Sequence, residues 1–193
     1  MRGHCRLKTF ALASAIIGLI AGIWASALAE GEIVFRIGTG STGGTYFPVG
    51  GLIANAISNP PGSLDCDLGG SCGVPGLIAG AVTTDGSVAN VIGVSRGDLD
   101  MALSQADVAY FAYKGKGAFA GQEPLKNLRS VANLFTESVH VVIRRDSGIA
   151  TVADLKGKRV SLDRKESGTR VVAEIVLEAY GLKPKNLKAS YEN

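Results

Sequence analysis

Apolar and polar residues alternate along this chain in two periods, and the switches between them mark out strand and helix segments in turn. Ile33 to Ile37 is a short apolar run of strand character. Tyr46 to Ile57 places Phe47, Leu52, Ile53, Ala56 and Ile57 at helical spacing, and Asn59-Pro60-Pro61-Gly62 stops that helix. Gly76 to Val82 predicts a second strand, Thr83 to Ser87 a turn that carries a helix cap, and Val88 to Ser95 a short helix. Leu99 to Leu103 predicts a third strand and Ala106 to Tyr113 another helix. Alternation of this kind calls for a parallel sheet with helices on its faces, and ligands then bind at the carboxyl ends of the strands.

Past a Gly/Lys-rich connection at Lys114 to Gly121, the pattern predicts strands at Leu128 to Phe135 and Val139 to Arg144, separated only by Thr136-Glu137-Ser138. This spacing reads as a crossing between two lobes. A turn and short helix follow over Asp146 to Lys158, then a strand at Arg159 to Leu162, a helix at Val171 to Tyr180 closed by Gly181 and Pro184, and a strand opening at Leu187 to Tyr191. One helix and two strands give the second lobe too little core, so the expectation is a chain whose second lobe is incomplete.

The first 29 residues carry basic Arg2, Arg6 and Lys8, an apolar run from Phe10 to Trp24, and Ala27-Leu28-Ala29. Those are the three parts of a secretory leader, with cleavage expected after Ala29. The apolar run is shorter than the roughly 20 residues that a membrane-spanning helix needs. A periplasmic product follows. The leader takes three of the 20 basic residues and none of the 17 acidic ones, so the mature chain is neutral. With few aromatics as well, it has no footprint for nucleic acid.

In an exported chain, Cys66 and Cys72 are expected to close a local disulfide. Those two cysteines and the distant His140 do not make a zinc site, so no metal and no cofactor is expected. Gly38 to Gly43 also fits G-x-G-x-x-G, and Gly69-Gly70-Ser71-Cys72-Gly73 fits G-x-S-x-G. They keep open a secreted α/β enzyme, dinucleotide-binding or hydrolytic. The first loop lacks the acidic residue expected on a second strand, and Pro75-Gly76 follows Ser71 where an elbow needs a helix.

The richest segment chemically is Gly38 to Tyr46, where glycines and hydroxyls precede a helix start. Such a loop can bring backbone N–H groups close to an anion. Ser167-Gly168-Thr169 before the last helix repeats the idea, so two helix N-termini from two lobes could clamp a carboxylate across a cleft. Each of these residues also has a purely structural reading. Ser167 and Thr169 can serve as N-caps, Arg170 can pair with Glu174, Asp107 can complement a helix dipole or meet a ligand ammonium, and Tyr46 can be core.

Several motifs in order carry a resemblance across the mature chain: Ile37-Gly-Thr-Gly-Ser-Thr-Gly-Gly-Thr-Tyr46, Gly86-Ser-Val-Ala-Asn90, Ser104-Gln-Ala-Asp-Val-Ala-Tyr110, Pro124-Leu-Lys-Asn-Leu128, Val139-His140, Asp154-Leu-Lys-Gly-Lys-Arg-Val160 and Ser167-Gly-Thr-Arg170. Together they resemble the TAXI family, the extracytoplasmic solute receptors of TRAP-type transporters. The resemblance implies a two-lobed type II periplasmic-binding-protein-like fold, with a first lobe over 30–138 and the start of a second over 139–193. It implies capture of a small anionic or zwitterionic solute, a carboxylate or an amino acid such as glutamate or glutamine, and delivery to a membrane permease. By position, the family's ligand contacts fall on Ser41, Thr42, Gly43, Gly44 and Tyr46, on Ser104, Gln105 and Asp107, and on Ser167, Gly168 and Thr169. Two segments depart from the pattern: Cys66 to Ala79 stands as an insertion, and Asp163-Arg164-Lys165-Glu166 puts charge beside the clamp where relatives often have a Gly- and Pro-containing turn.

Overall fold

The computed structural model describes residues 32–192. The leader segment and the cleavage position after Ala29 lie outside the described residues.

Three parallel strands form the larger sheet in the order β4-β1-β5, with β1 at Ile33–Gly38, β4 at Leu77–Val82 and β5 at Met101–Ala102. β1 pairs along its whole length with β4, from Ile33 opposite Leu77 to Gly38 opposite Val82. Only its last two residues, Ile37 and Gly38, meet β5. Helix α1, Tyr46–Ile57, follows β1 and packs on β4. α2, Ser87–Arg96, follows β4, and α3, Ala106–Lys114, follows β5. Each of these helices therefore begins just beyond the carboxyl end of a strand, at one edge of the sheet.

That edge is fastened by a buried polar hub. Asn90, fully buried on α2, donates from Nδ2 to the carbonyls of Thr39 (2.6 Å) and Leu103 (2.7 Å), and its Oδ1 accepts from Thr84 Oγ1 at 2.7 Å. Thr39, also fully buried, donates from both N and Oγ1 to the Val82 carbonyl, at 2.9 and 2.7 Å. The residues following β1, β4 and β5 are thus tied to one side-chain amide. Directly before the β1–β5 pairing, Arg36 and Asp100 are joined by Nε to Oδ2 at 3.0 Å, by Arg36 N donating to Asp100 Oδ2 and by Asp100 N donating to the Arg36 carbonyl.

Two short strands, β2 at Ser58–Asn59 and β3 at Val74–Pro75, pair in parallel around the loop in which Cys66 and Cys72 are disulfide-bonded, with Cα atoms 4.7 Å apart. Farther along, β6 at Arg159–Ser161 and β7 at Lys188–Ser190 form a separate parallel pair, with α4, Gly168–Ala179, between them in sequence. Two apolar clusters divide the core. Val91, Val108, Ala112 and Phe119 gather on the first unit together with Val171 of α4, while Leu155, Leu162, Leu177 and Leu182 gather on the second. α4 therefore packs toward both.

The elements agree with the pattern except in the middle. Residues 129–143, where strands were expected at Leu128 to Phe135 and Val139 to Arg144, run without a ladder and are exposed throughout. Val131 and Val142 are 85% and 90% exposed. Alternation supplies strand propensity, but a ladder needs a neighbouring strand, and among the described residues none lies alongside. α4 begins at Gly168 rather than Val171 because Ser167 caps it, its Oγ accepting from Arg170 N at 3.0 Å.

Replacing Asn90 by Ala leaves the buried Leu103 carbonyl without its partner and removes the shorter of the two bonds to the Thr39 carbonyl, which keeps only Thr84 Oγ1 at 3.2 Å. The variant is expected to lose about 2–3 kcal/mol in urea unfolding, against a wild-type-like value if these groups were hydrated in the folded state.

Candidate functional site

An open groove of about 2710 Å³ runs from the α1 and α3 starts across the exposed central segment to α4 and the β6–β7 pair. Its walls include Tyr46, Ser104, Gln105, Asp107, Phe135, Glu137, His140 and Thr169. Three helix starts, α1 with Tyr46, α3 with Gln105 and Asp107, and α4 with Thr169, thus contribute polar side chains to one concavity.

Tyr46 is the best-defined of these. Its hydroxyl donates to Glu137 Oε2 at 3.4 Å, and its ring meets Phe135 edge-on with centroids 6.4 Å apart. Burial pushes its hydroxyl up to about 12 from 10.0; Ser87 opposes this by hydrogen bonding, and the Glu137 and Asp107 carboxylates reinforce it. Of the two acids, Glu137 is the one in hydrogen-bond contact with the hydroxyl. Asp107 Oδ1 also accepts from the neighbouring Val108 N at 2.8 Å, the helix-dipole role open to it from sequence.

The α3 and α4 starts meet. Ser87 Oγ accepts from Gln105 N at 3.1 Å. Gly168 sits directly against the Gln105 amide, and a Cβ there would lie 2.7 Å from Ser87 Oγ and closer still to Gln105 Oε1. Only glycine allows this approach. Gln105 Oε1 itself is buried without a hydrogen-bond partner.

Of the other expected residues, Ser104 and Thr169 line the groove, whereas Ser41, Thr42, Gly43, Gly44 and Ser167 stand apart from its wall. Ser41 is half-buried, its carbonyl accepting from Gly44 N at 3.0 Å, and Thr42, Gly43 and Gly44 are exposed in that turn. Ser167 is buried and serves as the α4 N-cap, while Thr169 is exposed and lines the groove. Ser104 Oγ donates to the Gln105 carbonyl at 3.2 Å. Arg170 pairs with Glu174 at 2.8 Å and stacks on Tyr191 at 5.1 Å. Ser71 donates its hydroxyl to the Ser58 carbonyl inside the disulfide loop, and the short strand β3 follows it where a nucleophile elbow would have a helix. Among the described residues no group of three or more His, Cys, Asp or Glu could hold a metal, and no helix is long and apolar enough to cross a membrane.

The sequence marks Ser87 only as the end of the Thr83–Ser87 turn, one of the strand ends where a ligand is expected, and Asn90 only within a motif, and it does not single out Phe135 or Glu137. For Ser87 and Asn90 a signal existed in the Gly86-Ser-Val-Ala-Asn90 motif, where a small hydroxyl opens a helix and an amide follows on its buried face. Glu137 lies between two apolar runs with nothing in its spacing to mark it.

Parallel α/β units whose helix starts converge on an open groove are consistent with a periplasmic-binding-like fold. The chain belongs to the NMT1-like family, which matches residues 37–193. It is a periplasmic-binding-protein-like family related to the TRAP and TAXI receptors, and it is of solute-binding type.

Two outcomes follow from this geometry. Gly168→Ala is expected to cost about 1–3 kcal/mol through overpacking against Gln105, and Gln105→Ala in the same chain is expected to recover part of it; additive losses would separate the two residues. For Tyr46, raised ionisation in the fold means that its contribution to stability is complete below pH 10 and is lost as pH climbs toward 12. Absorbance titration at 295 nm should show a step near pH 12 that Tyr46→Phe removes, and an unchanged titration curve would place the hydroxyl in water.

Proposed function

We propose that this protein is the extracytoplasmic receptor of a TRAP-type transporter of the TAXI kind, which captures a small carboxylate or amino-acid-like solute in the groove and presents it to a membrane permease. The observation that carries this reading is the convergence of Tyr46, Gln105 with Asp107, and Thr169, from three separate helix starts, on one concavity in a chain of a solute-binding family. The partly separate apolar clusters of the two units support a two-lobed organisation, first lobe 30–138 and second from 139, with closure about Thr136 to His140.

In this reading Gln105, Asp107 and Tyr46 meet the polar and ammonium groups of the solute, Ser104 and Thr169 add hydroxyls, and Gly168 lets the α3 and α4 starts approach each other behind it. Ser167 supports that contact as the α4 cap. Ser41, Thr42, Gly43 and Gly44, in the turn that precedes Tyr46, reach the solute only if the lobes close over it. The leader delivers the chain to the periplasm, and binding rather than catalysis is its task. Recognition of a closed shape by the permease needs no chemical step.

The test is a thermal-shift panel of amino acids, dicarboxylates and keto acids, with nucleotides as controls. One carboxylate or amino-acid class is expected to raise the midpoint, since a ligand at 100 times its Kd adds about 2.7 kcal/mol. Gln105→Leu and Tyr46→Ala are each expected to weaken that ligand about tenfold or more with an unchanged circular dichroism spectrum. A shift with nucleotides alone would overturn the receptor reading in favour of a dinucleotide-binding protein.

A further inference from the structure

The segment Asp163-Arg164-Lys165-Glu166, which carries charge where the family resemblance leads one to expect a Gly- and Pro-containing turn, has a definite place in the fold. It leaves β6 through Asp163, which at φ 69° is the one non-glycine residue with positive φ among the described residues. Asp tolerates that left-handed conformation, and its Oδ1 accepts from Arg164 N at 2.8 Å. The turn is closed by Ser167 N donating to the Arg164 carbonyl at 3.1 Å. It then reaches the first α/β unit at three points.

The Glu166 carbonyl accepts from both Val88 N (3.1 Å) and Ala89 N (3.2 Å), two of the donors that the start of α2 would otherwise leave without a partner. Arg164 Nη1 donates to Asp85 Oδ1 at 2.8 Å. Gly86, at φ 114°, brings its backbone so close that a Cβ would lie 3.3 Å from Ser167 Cα. The receiving loop is itself tied to the polar hub, because Thr84 Oγ1 accepts from Gly86 N at 3.1 Å and donates to Asn90. The start of α2 is occupied by a protein carbonyl, so any anion-binding role passes to the starts of α1 and α3.

We propose that residues 163–167 and 84–89 form a clasp that holds the two α/β units together beside the groove, with Arg164 and Asp85 as positioning residues that set how tightly a bound solute is retained. This inference rests on the solute-binding reading for its functional half, while the clasp itself is a property of the ligand-free chain. Both side chains of the pair are about half exposed, 43% and 49%. Their attraction is therefore open to screening by salt, and its effect is modest. Neither residue is among the groove-lining side chains. An effect on affinity would have to travel through closure.

Amide hydrogen exchange and calorimetry with L-glutamate, and with whichever panel compound stabilises the wild type, test the two halves separately. In the ligand-free protein, Arg164→Gln is expected to speed exchange at Val88 and Ala89, and the reversed pair Asp85→Arg with Arg164→Asp to restore protection. Unchanged exchange in Arg164→Gln would overturn the clasp. With ligand, Arg164→Gln is expected to weaken binding roughly two- to five-fold at low salt, through faster release, and the difference should vanish near 1 M salt. Equal affinities in wild type and variant at low salt would overturn its role in retention. If the exchange results hold and no panel compound binds the wild type, the solute reading fails and the clasp stands.

Discussion

One buried amide sets the geometry on which the rest of the molecule depends. Asn90 bonds to carbonyls just beyond β1 and β5 and accepts from the turn after β4, so the places where three strands hand over to three helices cannot move independently. In a low-dielectric interior a fully satisfied network of this sort is rigid, because any displacement strands a polar group away from water. Thr39 extends it by tying the end of β1 to Val82 with two bonds. The helix starts are held in one plane of the fold by this fastening, and the groove lies beside them.

From that fixed edge the site follows by close approach rather than by long reach. Ser87, three residues before the hub, takes the Gln105 backbone N–H, and Gly168 fits against both because it has no side chain. The second α/β unit is thereby brought against the first at a point where polar donors are dense. Tyr46 closes one wall, with Phe135 and Glu137 of the central segment beside it. Glu137 at the Tyr46 hydroxyl and Asp107 on the same groove wall, with helix starts around them, set acidic groups beside the positive ends of helix dipoles.

Much of this was legible in the pattern. Helix Tyr46–Ile57 begins and ends where the apolar spacing and the Asn-Pro-Pro-Gly stop place it, and β4 starts one residue past the expected Gly76. The disulfide between Cys66 and Cys72 is also the pairing that the sequence leads one to expect. What the pattern overstates is pairing. Leu99 to Leu103 has strand character throughout, yet only Met101–Ala102 reaches the end of β1, and 129–143 has strand character with no ladder. Propensity belongs to a segment, whereas a ladder belongs to two, and a sequence displays only the first. At the site, glycine and hydroxyl content pointed to the loop 41–44, where an exposed turn stands, and gave no weight to Glu137, whose importance comes from a contact 91 residues away along the chain; Ser87 was visible as the end of a strand-end turn, but its contact with Gln105, 18 residues on, was not. Gly168 was legible as part of a helix start and, by resemblance, as a ligand contact. Its contact with Gln105 is a tertiary fact.

The central claim is that a small solute binds where Tyr46, Gln105, Asp107 and Thr169 converge. The most direct measurement is a titration of isotopically labelled protein with L-glutamate and the other panel compounds, following backbone amide resonances. The account predicts saturable shifts confined to the starts of α1, α3 and α4 and to Phe135 through Glu137. Saturable shifts centred instead on the disulfide loop around Ser71, with the three helix starts unmoved, would contradict it.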